Sequence, residues 1–216
     1  MQKTKRLTES AMLIAIAVVL ELAGKMLIPP MPFGGQLTLC AMLPMVLISW
    51  RHGVRWGLTA GFGYALIQMA LGAGTVTAAF QPGYFGDGTM VGNALLMCLF
   101  DYVLAYTLLG LGGCFRRRIS RKGVALMCGS LVALGARYLA HIFSGYILFS
   151  GWAEWFFTQE GFPGWGAALV ETLSADLLGW IYSIVYNGMY MIPEMILTAA
   201  AAVLVARIPR IMEVTT

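Results

Sequence analysis

The feature that most constrains this chain is a repeated pattern of long apolar runs separated by short clusters of lysine and arginine. A helix needs about 20 mostly apolar residues to cross a bilayer. Runs near that length can be drawn over 9–28, 37–50, 54–72, 90–113, 123–150 and 177–208. Composition leaves little room for a soluble alternative. Only 11% of residues are charged, 59% are hydrophobic and the mean hydropathy is +0.78, whereas a soluble domain carries roughly 25% charged residues. The chain lacks the polar surface to cover itself in water. The expectation is an all-α integral membrane protein with six transmembrane helices in one domain.

Orientation follows from the basic residues. With the N-terminus inside, Lys3, Lys5, Arg6, Arg51, Arg55, Arg116, Arg117, Arg118, Arg121, Lys122, Arg207 and Arg210 lie in the inner segments or at the inner ends of spans, and the two left over, Lys25 and Arg137, lie deeper within spans. The outer loops hold Asp87, Glu154, Glu160, Glu171 and Asp176. That segregation is the positive-inside pattern and places both termini in the cytoplasm. It also accounts for the net charge of +4 without nucleic acid. The first run has no small-x-small cleavage site before Pro29 and reads as an uncleaved helix. The second is short and contains Pro44, so a tilted, kinked or incomplete span is expected. Gly57-x-x-x-Gly61 in the third permits close backbone approach. The outer loop 151–176 carries Trp152, Trp155 and Trp165 and reads either as an aromatic belt or as a lid over an outward cavity.

Several chemistries are unsupported. Cys40, Cys98, Cys114 and Cys128 form no C-x-x-C pair and no metal-spaced cluster with histidine, so neither a disulfide framework nor a metal site is expected. There is no phosphate-binding G-x-x-x-x-G-K-[ST] loop, no H-E-x-x-H and no G-x-S-x-G. No pair of related halves marks a self-sufficient transporter. The expectation is a protein that is not an enzyme, needs no cofactor and draws any energy from a partner.

The informative residues are the polar ones inside spans, where a charge costs at least about 2.5 kcal/mol unless it pairs or meets water. Glu21 and Lys25 are spaced to pair with each other. Arg137, His141, Gly145 and Phe149 recur at four-residue steps and form one stripe along the fifth helix. The sixth adds Tyr182 and Asn187. Two readings stay open. Arg137 could simply neutralise Asp101, with His141 and Asn187 making hydrogen bonds between helices. Alternatively these side chains line one cavity, where an acid and aromatic rings would suit a cationic aromatic molecule.

The ordered motifs Leu7-Thr8-Glu9-Ser10-Ala11, Pro44 with 47–53 (Leu-Ile-Ser-Trp-Arg-His-Gly), Leu58-Thr59-Ala60-Gly61, Asp101-Tyr102, Arg137 to His141 with Gly145, and Tyr182 to Gly188 run through most of the chain. In these the chain resembles the thiamine-specific substrate-binding subunits (S components) of energy-coupling-factor vitamin transporters. The resemblance implies a six-helix, N-in and C-in subunit of a prokaryotic plasma membrane. Such a subunit captures thiamine from outside and works with a transmembrane coupling protein and two cytoplasmic ATPases. Ala11 and Ala15 resemble the small-residue motif through which such subunits dock on the coupling protein. Carried over by position, Asp101 stands for a ligand-facing glutamate, Tyr102 for a tyrosine near the hydroxyethyl end, Arg137 for a lysine, and Phe149 for a stacking tryptophan. His141, Gly145, Tyr182 and Asn187 match directly. Before Pro44 the family has a tryptophan and a glutamate where this chain has Gly35 and Leu39. Trp152 or Trp155 is the expected replacement for the stacking face. The departures leave open another vitamin or a hydroxymethylpyrimidine-like precursor as ligand. A small membrane enzyme or structural protein is the more distant alternative.

Overall fold

The computed structural model describes residues 2–29, 35–85 and 90–214, and these are mainly helical, with no β-strand among them. Asp87 lies outside the described residues. Among the described residues the main helices are, in order, α1 (Gln2–Leu27), α2 (Leu43–His52), α3 (Val54–Leu71), α4 (Ala73–Ala79), α5 (Met90–Gly113), α6 (Lys122–Phe149), α7 (Ala153–Thr158), α8 (Trp165–Thr172) and α9 (Ala175–Val205). Four helical stretches are long and apolar enough to cross a membrane, or five if α3 and α4, bent by 77°, form one span.

The second run departs from expectation. Residues 37–42 are not helical, and α2 begins only at Leu43 with Pro44 in its first turn. There proline's missing N–H has no intrahelical partner to lose, so Pro44 starts the helix and does not kink it. At ten residues α2 is about 15 Å long, half the thickness of a bilayer core. It is buried almost completely. The non-helical segment before it is fastened to α9: Glu194 accepts from the Thr38 N–H at 2.9 Å and the Thr38 hydroxyl at 2.8 Å. Backbone without helical partners is tolerated at membrane depth only where protein covers it.

Glycines set the helix separations. A Cβ on Gly57 would lie 2.8 Å from the Gly110 carbonyl oxygen, and one on Gly61 2.8 Å from that of Thr107. The Gly57/Gly61 face of α3 therefore meets the last turns of α5 backbone to backbone. Ser49 of α2 closes the junction by donating to Gly110 O and accepting the Gly113 N–H at 2.9 Å. α6 and α9 pack along each other's length to form the other side of the bundle.

Glu21 pairs with Lys25 at 2.8 Å, as the spacing predicts, and Tyr64 and Gln68 of α3 also donate to it. At the opposite end of α1, Glu9 holds Arg51 at 3.1 Å, and Arg51 donates to the carbonyls of Arg210 and Ile211, tying the tail across the end of the bundle. His52 sits beside this pair, buried, with Nε2 3.3 Å from Glu9 but without hydrogen-bond alignment at either ring nitrogen. Burial lowers its pKa from the usual 6.5; Glu9 opposes that shift, while Arg51, Arg6 and Arg116 add to it. The unfolded chain therefore takes up a proton that the folded protein resists. Stability is intact above pH 6.5 and falls as pH drops below it. The wild-type melting temperature should fall further between about pH 7.5 and about pH 5.5 than that of His52→Gln, read by thermal unfolding in detergent.

Candidate functional site

α5, α6 and α9 line an open cavity of ≈ 360 Å³, to which Thr75 of α4 and Tyr84 of the segment after it also contribute. Small-molecule sites span roughly 300–1,000 Å³. The middle of α5, Cys98–Leu104, is π-helical. A π-turn widens the helix locally, and this one carries Asp101 and Tyr102 to the cavity wall, with Tyr106 one turn further on. No periodic pattern in the sequence announces that turn.

Asp101 is the sole carboxylate on this wall among the described residues, with its side chain 23% exposed. Both of its oxygens are held by α6: His141 Nδ1 lies 2.9 Å from Oδ1, and the Ser144 hydroxyl donates to Oδ2 at 2.8 Å. The other imidazole nitrogen, Nε2, accepts from Arg137 Nε at 3.2 Å. A guanidinium can only donate, so His141 is the neutral tautomer with its proton on Nδ1 and donates to Asp101. Arg137 thus does not pair with Asp101. It lies buried over the Tyr106 ring, 4.4 Å from the centroid, with Met42 Sδ against one terminal nitrogen. The ion-pair reading of these two residues is corrected: imidazole stands between them.

Asn187 lines the cavity and also ties the helices together, donating to His141 O at 3.2 Å and Ser183 O at 2.9 Å. Gly145 has a packing reason beside any ligand one, because its Cβ would lie 2.2 Å from Ser183 Oγ. Tyr182, Tyr186 and Tyr190 form a column on α9 with centroids 5.6 and 6.4 Å apart. Phe149 and Tyr84, with ring centroids 6.4 Å apart, also line the cavity.

Eight of the nine expected site residues therefore line one cavity: Asp101, Tyr102, Arg137, His141, Gly145, Phe149, Tyr182 and Asn187. Trp152 does not. It is 48% exposed and packs edge-on against Trp155, itself 54% exposed. The segment 151–176 folds as α7 and α8, with Phe156 and Phe157 buried and Phe156 5.2 Å from Tyr182, so it braces the tyrosine column from behind. The added aromatic face comes instead from Tyr84, Tyr106, Tyr186 and Tyr190, of which the four-residue spacing on α9 was a visible signal. Gly35, at φ +81, leaves no room for a larger side chain: its Cβ would lie 2.5 Å from Tyr190 Cδ1. Replacing Trp152 or Trp155 by alanine should leave ligand affinity within about twofold in a binding titration, as expected of surface changes away from a site.

Residues 7–213 match a family model described as thiamine transporter protein (Thia_YuaJ). Thiamine transporter ThiT of Bacillus subtilis (strain 168) is 30% identical over 203 residues, covering 90% of this chain and 86% of that protein. A solved structure of ThiT from Listeria monocytogenes covers 99% of this chain and 100% of its own with a TM-score of 0.63, at 19% identity, a likeness of fold.

Proposed function

The chain belongs to the thiamine transporter protein family, and from that premise we propose that thiamine is the ligand of the cavity between α5, α6 and α9. Membership makes the protein a multi-pass membrane component of a transporter and not an enzyme. One observation carries the ligand assignment: a single carboxylate, Asp101, is fixed at both oxygens and faces a cavity walled mainly by tyrosines. Thiamine is a cation with two aromatic rings. The carboxylate complements its charge and its amino group, and the tyrosine column offers faces for stacking.

The chain crosses the membrane six times, over 9–28, 37–50, 54–72, 90–113, 123–150 and 177–208, with both termini cytoplasmic. The segregation of basic residues supports this. The cavity then opens outward. Energy comes from a coupling protein and two ATPases. In support, Ala11 and Ala15 lie exposed on α1 beside Met12, Ile16 and Val19, an uncovered face on which another helix can lie close.

The test is calorimetric titration of the detergent-purified chain with thiamine, its phosphates and the free aminopyrimidine. Saturable one-to-one thiamine binding that outcompetes the free aminopyrimidine is the expected result. Heat only with the aminopyrimidine would assign a precursor as ligand, and no heat with any of them would remove the assignment.

A further inference from the structure

We propose that Ser144 is a positioning residue of the ligand cavity, acting through Asp101. Ser144 is 1% exposed and its hydroxyl donates to Asp101 Oδ2 at 2.8 Å. It stands one turn after His141, so two donors from the same face of α6 take one acceptor site on each carboxylate oxygen.

The consequence is geometric. An ionised carboxylate offers about four acceptor sites. With one on each oxygen occupied, its plane is fixed and two sites remain turned to the cavity. An aspartate on a π-helical turn, held by His141 alone, would be free to rotate about its terminal torsion, which is broad and poorly defined. Fixing the carboxylate beforehand removes a cost that the ligand would otherwise bear on binding. The hydroxyl makes no other hydrogen bond within the described residues. Packing does not demand this polar group: alanine would fill nearly the same buried volume.

The proposal rests on Asp101 being the ligand's anchor, so its test has one arm that needs no ligand. The chain has three aspartates, Asp87, Asp101 and Asp176. Carboxyl-labelled aspartate therefore gives three carbon-13 signals, with that of Asp101 assigned by its loss in Asp101→Asn. Ser144→Ala should shift the Asp101 signal in the unliganded protein and leave that of Asp176 in place. In the second arm, Ser144→Ala should weaken thiamine binding about tenfold, the scale of a hydrogen bond to a charged group. The same change in an Asp101→Ala background should alter affinity less than about twofold, because the residue through which Ser144 acts is gone. An Asp101 signal that stays put overturns the proposal, as does a full tenfold loss in the Asp101→Ala background. A shifted signal in a protein that binds no thiamine supports the positioning contact while removing thiamine as the ligand.

Discussion

Asp101→Asn is expected to lower thiamine affinity by about a hundredfold or more. Truncating one partner of a buried, hydrogen-bonded charge pair costs roughly 2–5 kcal/mol, which is about 30-fold to several thousandfold at about 1.4 kcal/mol per decade. Asparagine is the informative replacement because it keeps the volume and an oxygen that accepts from His141 or Ser144. The fold should persist, since the Asp101 side chain borders an open cavity. Titration calorimetry gives the affinity and a thermal melt confirms folding. An Asp101→Asn protein that melts normally and binds thiamine as tightly as wild type would return Asp101 to a purely structural role.

The largest effect on stability should come from a single methyl group. Gly129→Ala places a Cβ 1.9 Å from the carbonyl oxygen of Gly112, where α6 crosses the end of α5. Helix propensity argues the other way, because alanine is better than glycine by about 1 kcal/mol in a helix interior. Packing decides the sign. The obstructing atom is backbone with no rotamer to yield, and the helices must separate along a buried seam, so a net loss of about 3 kcal/mol or more is expected. Gly135→Ala, in the same helix, is the control. Its Cβ would meet only Met195 Cε, at 3.9 Å, so propensity should prevail and the melting temperature should hold or rise. Equal behaviour of the two variants in detergent melts would mean that the seam between α5 and α6 is looser than the structure shows.

The sequence alone carried the solvent in which this chain folds, because apolar length and the near absence of charge are local quantities. Helical limits were legible in part: α6 (Lys122–Phe149) and α9 (Ala175–Val205) run close to the apolar runs 123–150 and 177–208, whereas α1 begins at Gln2, well before the run that starts at 9. The i,i+4 stripe of Arg137, His141, Gly145 and Phe149 was legible for the same reason, since helical periodicity fixes which residues share a face before any tertiary contact forms. Those four residues do line one cavity.

Other features depended on atoms distant in sequence, and only the tertiary structure decided them. The non-helical path of the residues before α2 is held by Glu194, more than 150 residues away, which accepts from the backbone N–H and hydroxyl of Thr38. The partner of Asp101 was ambiguous because charge alone favours Arg137. Three-dimensional placement gave the carboxylate to His141 and Ser144 and left the guanidinium over an aromatic face. The π-turn that aims Asp101 has no hydropathy signature. Trp152 carried an aromatic signal strong enough to suggest a ligand contact, yet its ring stays half exposed because the buried face of that segment is taken by Phe156 and Phe157. Patterns of period and charge specify which surfaces must be hidden. Which side chains then touch one another is settled by backbone separations of a few ångströms, and here those separations are set by glycines whose packing partners lie on other helices.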